Sequence, residues 1–362
     1  MLDLGTSFLA SVARDPDALA IVDGELRLTY GAWYGKISAL VAGFDDLGLR
    51  PGDHLVTLLQ NRWEAATIHW ACQFAGIIIT PAQLALQRER TGFLPGRRRG
   101  QGDRVRGDLR RGRGFLEQSA APARVSPWAT RARTICSSTS LIGGSARAVE
   151  PRVDAEAWSV MLYTSGTTAR PKGVPRRQRA ERAAALAHVA QNLYGRRERT
   201  LGAMPLYHTM GVRSLLAMSL IGGAFVCLPR FDVARALELI AAEKMTNLYL
   251  VPTLYHDLLH HERFKATDVS SVRKLGFAGA PMTDGLLQGL TAAFKPDLFV
   301  NHYGSSEIYT FTIDQNAPAK PGSAGRAGIN QMVRVVQARR DLTRRRRRAG
   351  RGGRDHRAAR GR

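Results

Sequence analysis

Apolar residues in the first 82 positions alternate between helical spacing and the short continuous runs of buried strands. One helical face is formed by Ile37, Leu40, Val41, Phe44 and Leu47. Glycine and proline at 48–52 end this helix, an apolar run at 54–59 predicts a strand, and residues 63–74 and 77–80 predict a second helix and a second strand. This strand–helix–strand order predicts a parallel pair of strands with a right-handed crossover.

The same alternation resumes at about residue 154 and continues to about residue 302. A strand at 159–163 leads into a Gly/Thr-rich loop and a helix at 180–193. Further strands are predicted at 224–228, 247–251, 274–278 and 298–302, separated by helices at 233–242, 254–260 and 284–294. The pattern predicts an α/β fold with mostly parallel sheets flanked by helices, whose ligands bind beyond the carboxyl ends of the strands. The loops after Tyr163, Ala278 and His302 are therefore the expected positions of the chemistry.

Charge divides the chain into ordinary and unusual segments. The net charge is +23, but residues 83–150 hold 14 Arg and 5 acidic residues, and residues 337–362 hold 12 Arg and 2 acidic residues. The remaining residues hold 27 basic and 23 acidic side chains, which is the balance of an ordinary globular protein. We therefore divide the chain into an N-terminal α/β part (1–82), an Arg-rich aberrant segment (83–150), a core (151–336) and an Arg-rich tail (337–362).

The two Arg-rich segments show no sustained strand or helix period, and we expect both to be disordered. Arg, Gly and Ala are the residues that GC-rich codons give in a wrong frame. One interpretation is therefore two frame disruptions, the first compensated near residue 151 and the second running to the end. The alternative is a genuine basic linker and tail.

Targeting and redox signals point to the cytoplasm. No run of 18 apolar residues is present, and the longest candidate, 215–229, is broken by glycines, so no membrane span or signal peptide is expected. Cys72, Cys136 and Cys227 lie far apart without the spacing of metal ligands, which fits a reducing cytoplasm.

A loop rich in hydroxyl groups is the strongest chemical signal in the sequence. It comprises Tyr163 to Val174, read YTSGTTARPKGV, and follows a predicted strand. Its backbone N–H groups and hydroxyls are suited to phosphate oxygens, and Lys172 adds a positive charge. Pro171 and Gly173 stand where a Walker A loop needs glycine and Ser/Thr, so this is a phosphate loop of another kind.

The motif YTSGTTxxPKGV resembles the phosphate loop of the adenylate-forming superfamily, which contains acyl- and aryl-CoA ligases, luciferases and peptide-synthetase adenylation domains. Two further matches follow in order: 278–282 (AGAPM) resembles the adenine-binding turn, and 301–307 (NHYGSSE) resembles the YGxTE segment. The openings LTYGAW at 28–33 and LRPGDHLVTLLQN at 49–61 are also similar to these ligases. The resemblance covers about 1–82 and 152–336, and Ala169 departs from the usual glycine.

The resemblance implies a role for each matching residue. The residues expected to hold the β- and γ-phosphates of ATP are Thr164, Ser165, Gly166, Thr167, Thr168 and Lys172. Those expected around adenine are Gly279, Ala280 and Pro281, with Tyr303 packing opposite, followed by Gly304. Ser306 takes a threonine position and is expected to bond the α-phosphate, and Glu307 is expected to bind Mg²⁺.

The resemblance also implies an acyl site. His208, in MPLYHTMG, matches a segment that borders the carboxylate pocket and the path of the CoA thiol, and we group it with Lys172 and Glu307 as a catalytic residue. Met210, Ile308 and Tyr309 are expected to supply an apolar and aromatic wall. The stretch 205–212 has no acid to pair with an ammonium group, which argues against amino-acid substrates. The expected function is an ATP-, Mg²⁺- and CoA-dependent ligase for a compact cyclic or aromatic carboxylate.

Two other functions remain open from the sequence. The chain could be a nucleotide-binding pseudoenzyme fragment, or a basic polyanion- or nucleic-acid-binding protein that uses its Arg-rich segments. No specific nucleic-acid motif is recognised, and residues 337–362 contain no aromatic side chain for base stacking.

The residues after 336 also bear on activity. Full-length relatives carry a downstream ribose-binding Asp and a small C-terminal lid domain with a catalytic lysine, whereas residues 337–362 contain neither a lysine nor TGD. We therefore expect the lid domain to be missing and this chain to be inactive or crippled as a ligase, and the sequence leaves the oligomeric state open.

Overall fold

The computed structural model describes residues 2–82, 147–164 and 172–335, together with the backbone of 116–117 and 132–135. In these residues the helices are α1 (Leu4–Arg14), α2 (Tyr30–Asp46), α3 (Trp63–Ala75), α4 (Gln178–Gln191), α5 (Thr209–Ile221), α6 (Val233–Ala242), α7 (Pro252–His260) and α8 (Asp284–Phe294), with 3₁₀ turns at Phe264–Ala266 and Ala317–Ala319. The strands are β1 (Leu19–Asp23), β2 (Leu26–Thr29), β3 (His54–Thr57), β4 (Ile78–Pro81), β5 (Leu116–Glu117), β6 (Ala132–Ile135), β7 (Trp158–Thr164), β8 (Lys172–Arg177), β9 (Arg199–Gly202), β10 (Ala224–Cys227), β11 (Asn247–Leu250), β12 (Lys274–Phe277), β13 (Leu298–Tyr303), β14 (Thr312–Asp314) and β15 (Arg326–Ala327).

The strands form two sheets. The larger has nine strands in the order β15-β14-β13-β12-β11-β9-β10-β1-β2, and its centre, from β13 to β1, is parallel. The antiparallel strands β2, β14 and β15 lie at its two ends. The sheets are therefore mostly parallel and flanked by helices, as the alternation of elements predicts.

The smaller sheet has six strands in the order β5-β6-β3-β4-β7-β8. β3 and β4 are parallel, with His54 opposite Ile78, which confirms the crossover predicted from residues 54–80. β5 and β6 come from the Arg-rich segment 83–150, and β6 pairs in parallel with β3. The rest of that segment up to residue 146, and the tail from residue 336, lie outside the described residues.

Local capping fixes several helix ends. The Asp3 carboxylate accepts from the Thr6 N–H at 2.8 Å at the start of α1, and Thr29 and Thr283 cap α2 and α8 in the same way. α3 ends at Gly76, whose φ of +71° is the left-handed conformation that glycine adopts without strain. These signals are local, and the sequence located α3 and α8 well, whereas α1 was not predicted despite its cap.

α5 is the most deeply buried helix of the described fold. Twelve of its thirteen residues are buried, and it packs against α1, α4 and the larger sheet. A helix that is buried on all sides has no solvent-facing polar stripe, so its period cannot be read from the sequence. α1, β1, β2, β8 and β9 were likewise not predicted.

None of the helices in the described residues is long and apolar enough to cross a membrane. Residues up to Gln331 form one compact unit, whereas residues 332–335, described as part of a second unit, have no helix or strand.

Candidate functional site

Two of the three motifs follow neighbouring parallel strands of the larger sheet. β12 and β13 pair with Phe277 opposite Asn301, so the turn at 278–282 and the segment at 303–307 leave the same edge of the sheet. The third motif connects β7 to β8 in the smaller sheet, where Thr164 lies opposite Lys172. Arg176 of β8 donates to the carbonyl oxygen of Glu307, so the strand that follows the third motif contacts the segment at 303–307.

The structure describes the two ends of the phosphate loop. Thr164 is half-buried at the end of β7, and Lys172 is exposed at the start of β8. A Cβ atom on the neighbouring Gly173 would lie 2.8 Å from Met161 Sδ, so a larger residue there would require the Met161 side chain to move. Predicted phosphate ligands that lie outside the described residues are Ser165, Gly166, Thr167 and Thr168.

The turn predicted to hold adenine presents its backbone to solvent. Gly279 has a φ of +87°, and Ala280 and Pro281 are exposed, whereas Met282 is buried and anchors the turn. Tyr303 is 58% exposed, so most of its ring is available to a ligand. An exposed aromatic ring beside an open glycine turn is suited to a planar base.

The loop after β13 is held by its own backbone. The Tyr309 N–H donates to Ser305 O at 2.7 Å, and Phe311 N–H donates to Tyr303 O at 2.7 Å. A Cβ atom on Gly304 would overlap the carbonyl oxygen of Tyr309, so only glycine permits this close approach. Tyr309 itself has a φ of +70°, a strained value for a non-glycine residue.

Glu307 is an exposed carboxylate at the centre of this loop, next to the half-buried Ser306. The Ser305 hydroxyl and the charge of Lys172 hold the pKa of Glu307 below its usual range. Mg²⁺ is commonly bound by one or two carboxylates together with substrate phosphates. A single ionised carboxylate fits that mode, and no cluster of three His, Cys, Asp or Glu residues occurs within the described ranges.

A buried ion pair contacts the loop that carries Glu307. Arg176 of β8 pairs with Glu181 of α4, and the guanidinium also donates to the carbonyl oxygen of Glu307. The Tyr309 hydroxyl donates to the other oxygen of Glu181 at 2.7 Å, while Arg176 lies 3.9 Å from the Tyr309 ring centroid. The sequence pattern did not reveal Arg176 and Glu181, because nothing in their spacing shows that both are buried.

A cavity of about 280 Å³ opens beside Glu307. Its lining residues are Arg176, Ala180, Ala183, Ala184, Ala187, Gln191, Arg213, Glu307, Ile308, Tyr309, Thr310, Ile329, Asn330 and Gln331. Ile308 and Tyr309 were predicted to line the acyl pocket, and both face this cavity. Met210 is only 2% exposed, belongs to the hydrophobic core and is not among the lining residues.

His208 lies at the start of α5, five positions before Arg213. Its Nδ1 atom accepts the N–H of Met210 at 3.3 Å, which leaves Nε2 to carry the proton. The residue is exposed at the surface, yet surrounding protein atoms and the charge of Arg213 lower the pKa of the ring. The His208 ring is therefore uncharged at neutral pH. His208 is not one of the residues that line the cavity.

A polar cluster behind the cavity was also missed. The Asn192 side chain donates to His188 Nδ1 at 2.9 Å and accepts from His302 Nε2 at 3.1 Å. Burial and the nearby Arg213 hold the pKa values of both histidines well below the usual range. The sequence gives no signal that Arg213 lies near these histidines.

Comparison with known proteins identifies the family of this chain. The family model described as "AMP-binding enzyme" matches residues 8–94 and 110–351. The chain is 32% identical to 4-chlorobenzoate–CoA ligase of Pseudomonas sp. (strain CBS-3) over 195 residues, which are 53% of this chain and 37% of that protein. It is 26% identical to feruloyl-CoA synthase of Amycolatopsis sp. over 353 residues, which are 92% of this chain and 66% of that protein.

The fold has a solved counterpart. The N-terminal domain of FACL13 from Mycobacterium tuberculosis superimposes with a TM-score of 0.76 at 23% identity, covering 91% of this chain and 83% of that chain. The chain thus spans between about a third and two thirds of the length of the two curated ligases. Because the family model matches well over half of its residues, the chain belongs to the AMP-binding enzyme family.

Proposed function

We propose that this protein is a carboxylic acid–CoA ligase that joins a compact cyclic or aromatic acid to CoA at the expense of ATP. The observation that carries the proposal is the position of the cavity. Its lining includes Glu307, the residue expected at the ATP phosphates, so an acid in the cavity would have its carboxylate near the nucleotide. The names of the two ligases above, which act on chlorobenzoate and ferulate, agree with a ring-containing acid.

The proposed reaction has two steps. One oxygen of the substrate carboxylate attacks the α-phosphorus of ATP, and pyrophosphate leaves with the electrons of the broken P–O bond. The sulfur of CoA then attacks the acyl carbon, AMP leaves, and the thiol proton passes to solvent. This chemistry depends chiefly on positioning the reactants and stabilising charge.

The chain's own residues would carry these tasks. Lys172 would pair with the phosphates, Ser306 would donate to the α-phosphate, and the open turn at Gly279 with the Tyr303 ring would hold adenine. Glu307, ionised because its pKa is lowered, would hold Mg²⁺, which supplies charge neutralisation at the phosphates. The neutral His208 would present its Nε2–H towards the path of the carboxylate and the thiol.

The size and charge of the cavity support an acid with one ring. A volume of about 280 Å³ is near the lower end of ligand pockets, and four alanines of α4 form a flat apolar wall. The lining holds two arginines and a single acid, which favours an anionic substrate over one with an ammonium group. We therefore propose a cyclic acid rather than an amino acid or a long fatty acid, acting in the cytoplasm.

Binding of stable acyl-adenylate analogues tests this proposal, because it does not depend on turnover. Benzoyl and furoyl sulfamoyl-adenosine should bind at least about tenfold more tightly than the dodecanoyl or phenylalanyl analogues in calorimetric titrations. Tyr303→Ala should weaken all four analogues alike, since it removes the adenine face. Trp158→Ala, at the opposite end of β7 from Thr164, serves as a control on a partly exposed aromatic residue outside the predicted site. Tighter binding of the dodecanoyl analogue would overturn the size assignment, and no binding of any analogue would overturn the proposed function.

A further inference from the structure

Arg213 is a buried cation whose contacts are all neutral. The residue is 3% exposed, and its two terminal nitrogens donate to the Thr310 hydroxyl and to the Tyr249 hydroxyl. Its Nε atom is buried without a hydrogen-bond partner. No carboxylate in the part of the chain that the structure describes forms an ion pair with it.

The groups behind Arg213 cannot balance its charge. His188 and His302 lie next to Tyr249, with ring centroids 4.7 and 5.1 Å from the tyrosine ring, and the pKa of each histidine is lowered by burial and by Arg213 itself. Both rings are therefore uncharged. A buried guanidinium without an anion is costly, because it loses its water without gaining an opposite charge.

Arg213 faces the same cavity as Arg176, but the two arginines differ. The charge of Arg176 is balanced by the buried carboxylate of Glu181. The lining includes the exposed Glu307 and Ile308 and the buried Arg213. The uncompensated positive charge therefore belongs to the buried part of the lining, whereas the Glu307 carboxylate belongs to the exposed part.

We infer that the acid bound in this cavity carries a second carboxylate, which pairs with the Arg213 guanidinium. The inference rests on the proposed function, which puts the reacting carboxylate at the exposed side, near Glu307 and the nucleotide. The ring would lie along the alanines of α4, between the two ends. A second carboxylate would supply the anion that Arg213 lacks, because each terminal nitrogen of the guanidinium has a second N–H besides the one it donates to Thr310 or Tyr249.

Ligand variants test the inference on the unmodified 362-residue chain. Isophthalate, monomethyl isophthalate and benzoate share one ring and one carboxylate, and only isophthalate has the second charge. Isophthalate should bind at least about tenfold more tightly than the other two in calorimetric titrations at neutral pH. Equal affinity of isophthalate and its monomethyl ester would overturn the inference without any mutation.

Three variants test whether Arg213 is the residue that binds the second carboxylate. Arg213→Gln should remove the preference for isophthalate, whereas Arg213→Lys should retain it. Arg235→Gln, an exposed residue of α6, is the matched control and should behave as the wild type. If benzoate lost as much affinity as isophthalate in Arg213→Gln, Arg213 would hold the reacting carboxylate, and the inference would be wrong.

Stability and analogue binding separate the remaining outcomes. Without ligand, Arg213→Gln should unfold at the wild-type temperature or above it, because the buried charge is gone. A lower unfolding temperature with an unchanged isophthalate preference would show a purely structural role and overturn the inference. Binding of benzoyl sulfamoyl-adenosine without any diacid preference would refute this inference alone, whereas failure of all adenylate analogues would refute the proposed function and the inference with it.

Discussion

The ion pair between Arg176 and Glu181 makes a quantitative prediction about the loop that carries Glu307. Replacing Arg176 with methionine keeps most of the side-chain volume but removes the only cation paired with Glu181 in the described residues. The Glu181 side chain is fully buried, so its carboxylate would remain without a counter-charge. The variant also removes the guanidinium that donates to the Glu307 carbonyl oxygen and lies 3.9 Å from the Tyr309 ring.

The expected loss follows from these contacts. Breaking a buried ion pair by removing one partner costs about 3–5 kcal/mol, and the lost cation–π contact adds about 0.5–2 kcal/mol. Arg176→Met should therefore lower the free energy of unfolding by about 3.5–7 kcal/mol. Adding Glu181→Leu should recover most of this loss, although the Tyr309 hydroxyl then lacks its acceptor, which leaves a deficit of about 1–3 kcal/mol.

Urea denaturation followed by tryptophan fluorescence measures these values in a double-mutant cycle. Arg179→Met, on the helix that carries Glu181, is the control, since its pair with Glu156 is exposed and should cost less than about 1 kcal/mol. A single Arg176→Met loss no larger than that of the control would refute the reasoning. So would a double variant less stable than the single one, because the cost would then not come from an unpaired Glu181.

Three further predictions concern the phosphates, the loop and the core. Lys172→Ala should weaken Mg²⁺–ATP binding by about tenfold or more in a fluorescent-nucleotide competition assay. The control Lys244→Ala, whose ion pair with Asp268 is exposed, should leave the affinity unchanged, and equal losses in the two variants would show a general charge effect. Gly304→Ala should destabilise the fold by about 1–3 kcal/mol or more in urea denaturation, because the new methyl group overlaps the Tyr309 carbonyl oxygen, and a neutral result would contradict this geometry. Burial lowers the pKa of His69 to about 4, so between about pH 6.5 and 4 the histidine is protonated in the unfolded chain but not in the folded one, and the free energy of unfolding should fall as the pH drops through this range. His69→Phe should reduce that fall by up to about 3 kcal/mol, and an unchanged dependence of the free energy of unfolding on pH would disprove the assignment.

Local sequence signals specify the elements whose faces differ in polarity and the motifs that are continuous in the chain. α2, α3 and α6 were predicted within a few residues, because each has an apolar face or a clear end signal such as Gly76. Three motifs indicate the family by their order alone: the phosphate loop, the turn at 278–282 and the segment at 301–307. Each is a continuous stretch of sequence, so it can be recognised without knowledge of the tertiary contacts.

The burial of individual side chains, and the groups that they face, depend on the tertiary structure. α5 was not predicted because a helix surrounded by protein has no solvent-facing polar stripe, and its few polar residues, such as Arg213, are buried. Glu181 and Arg213 look like ordinary surface charges in the sequence, yet one is a buried carboxylate with a partner and the other a buried cation with only neutral contacts. Burial and pairing depend on residues that are distant in the chain, such as Tyr309 beside Glu181, so no local pattern could reveal them.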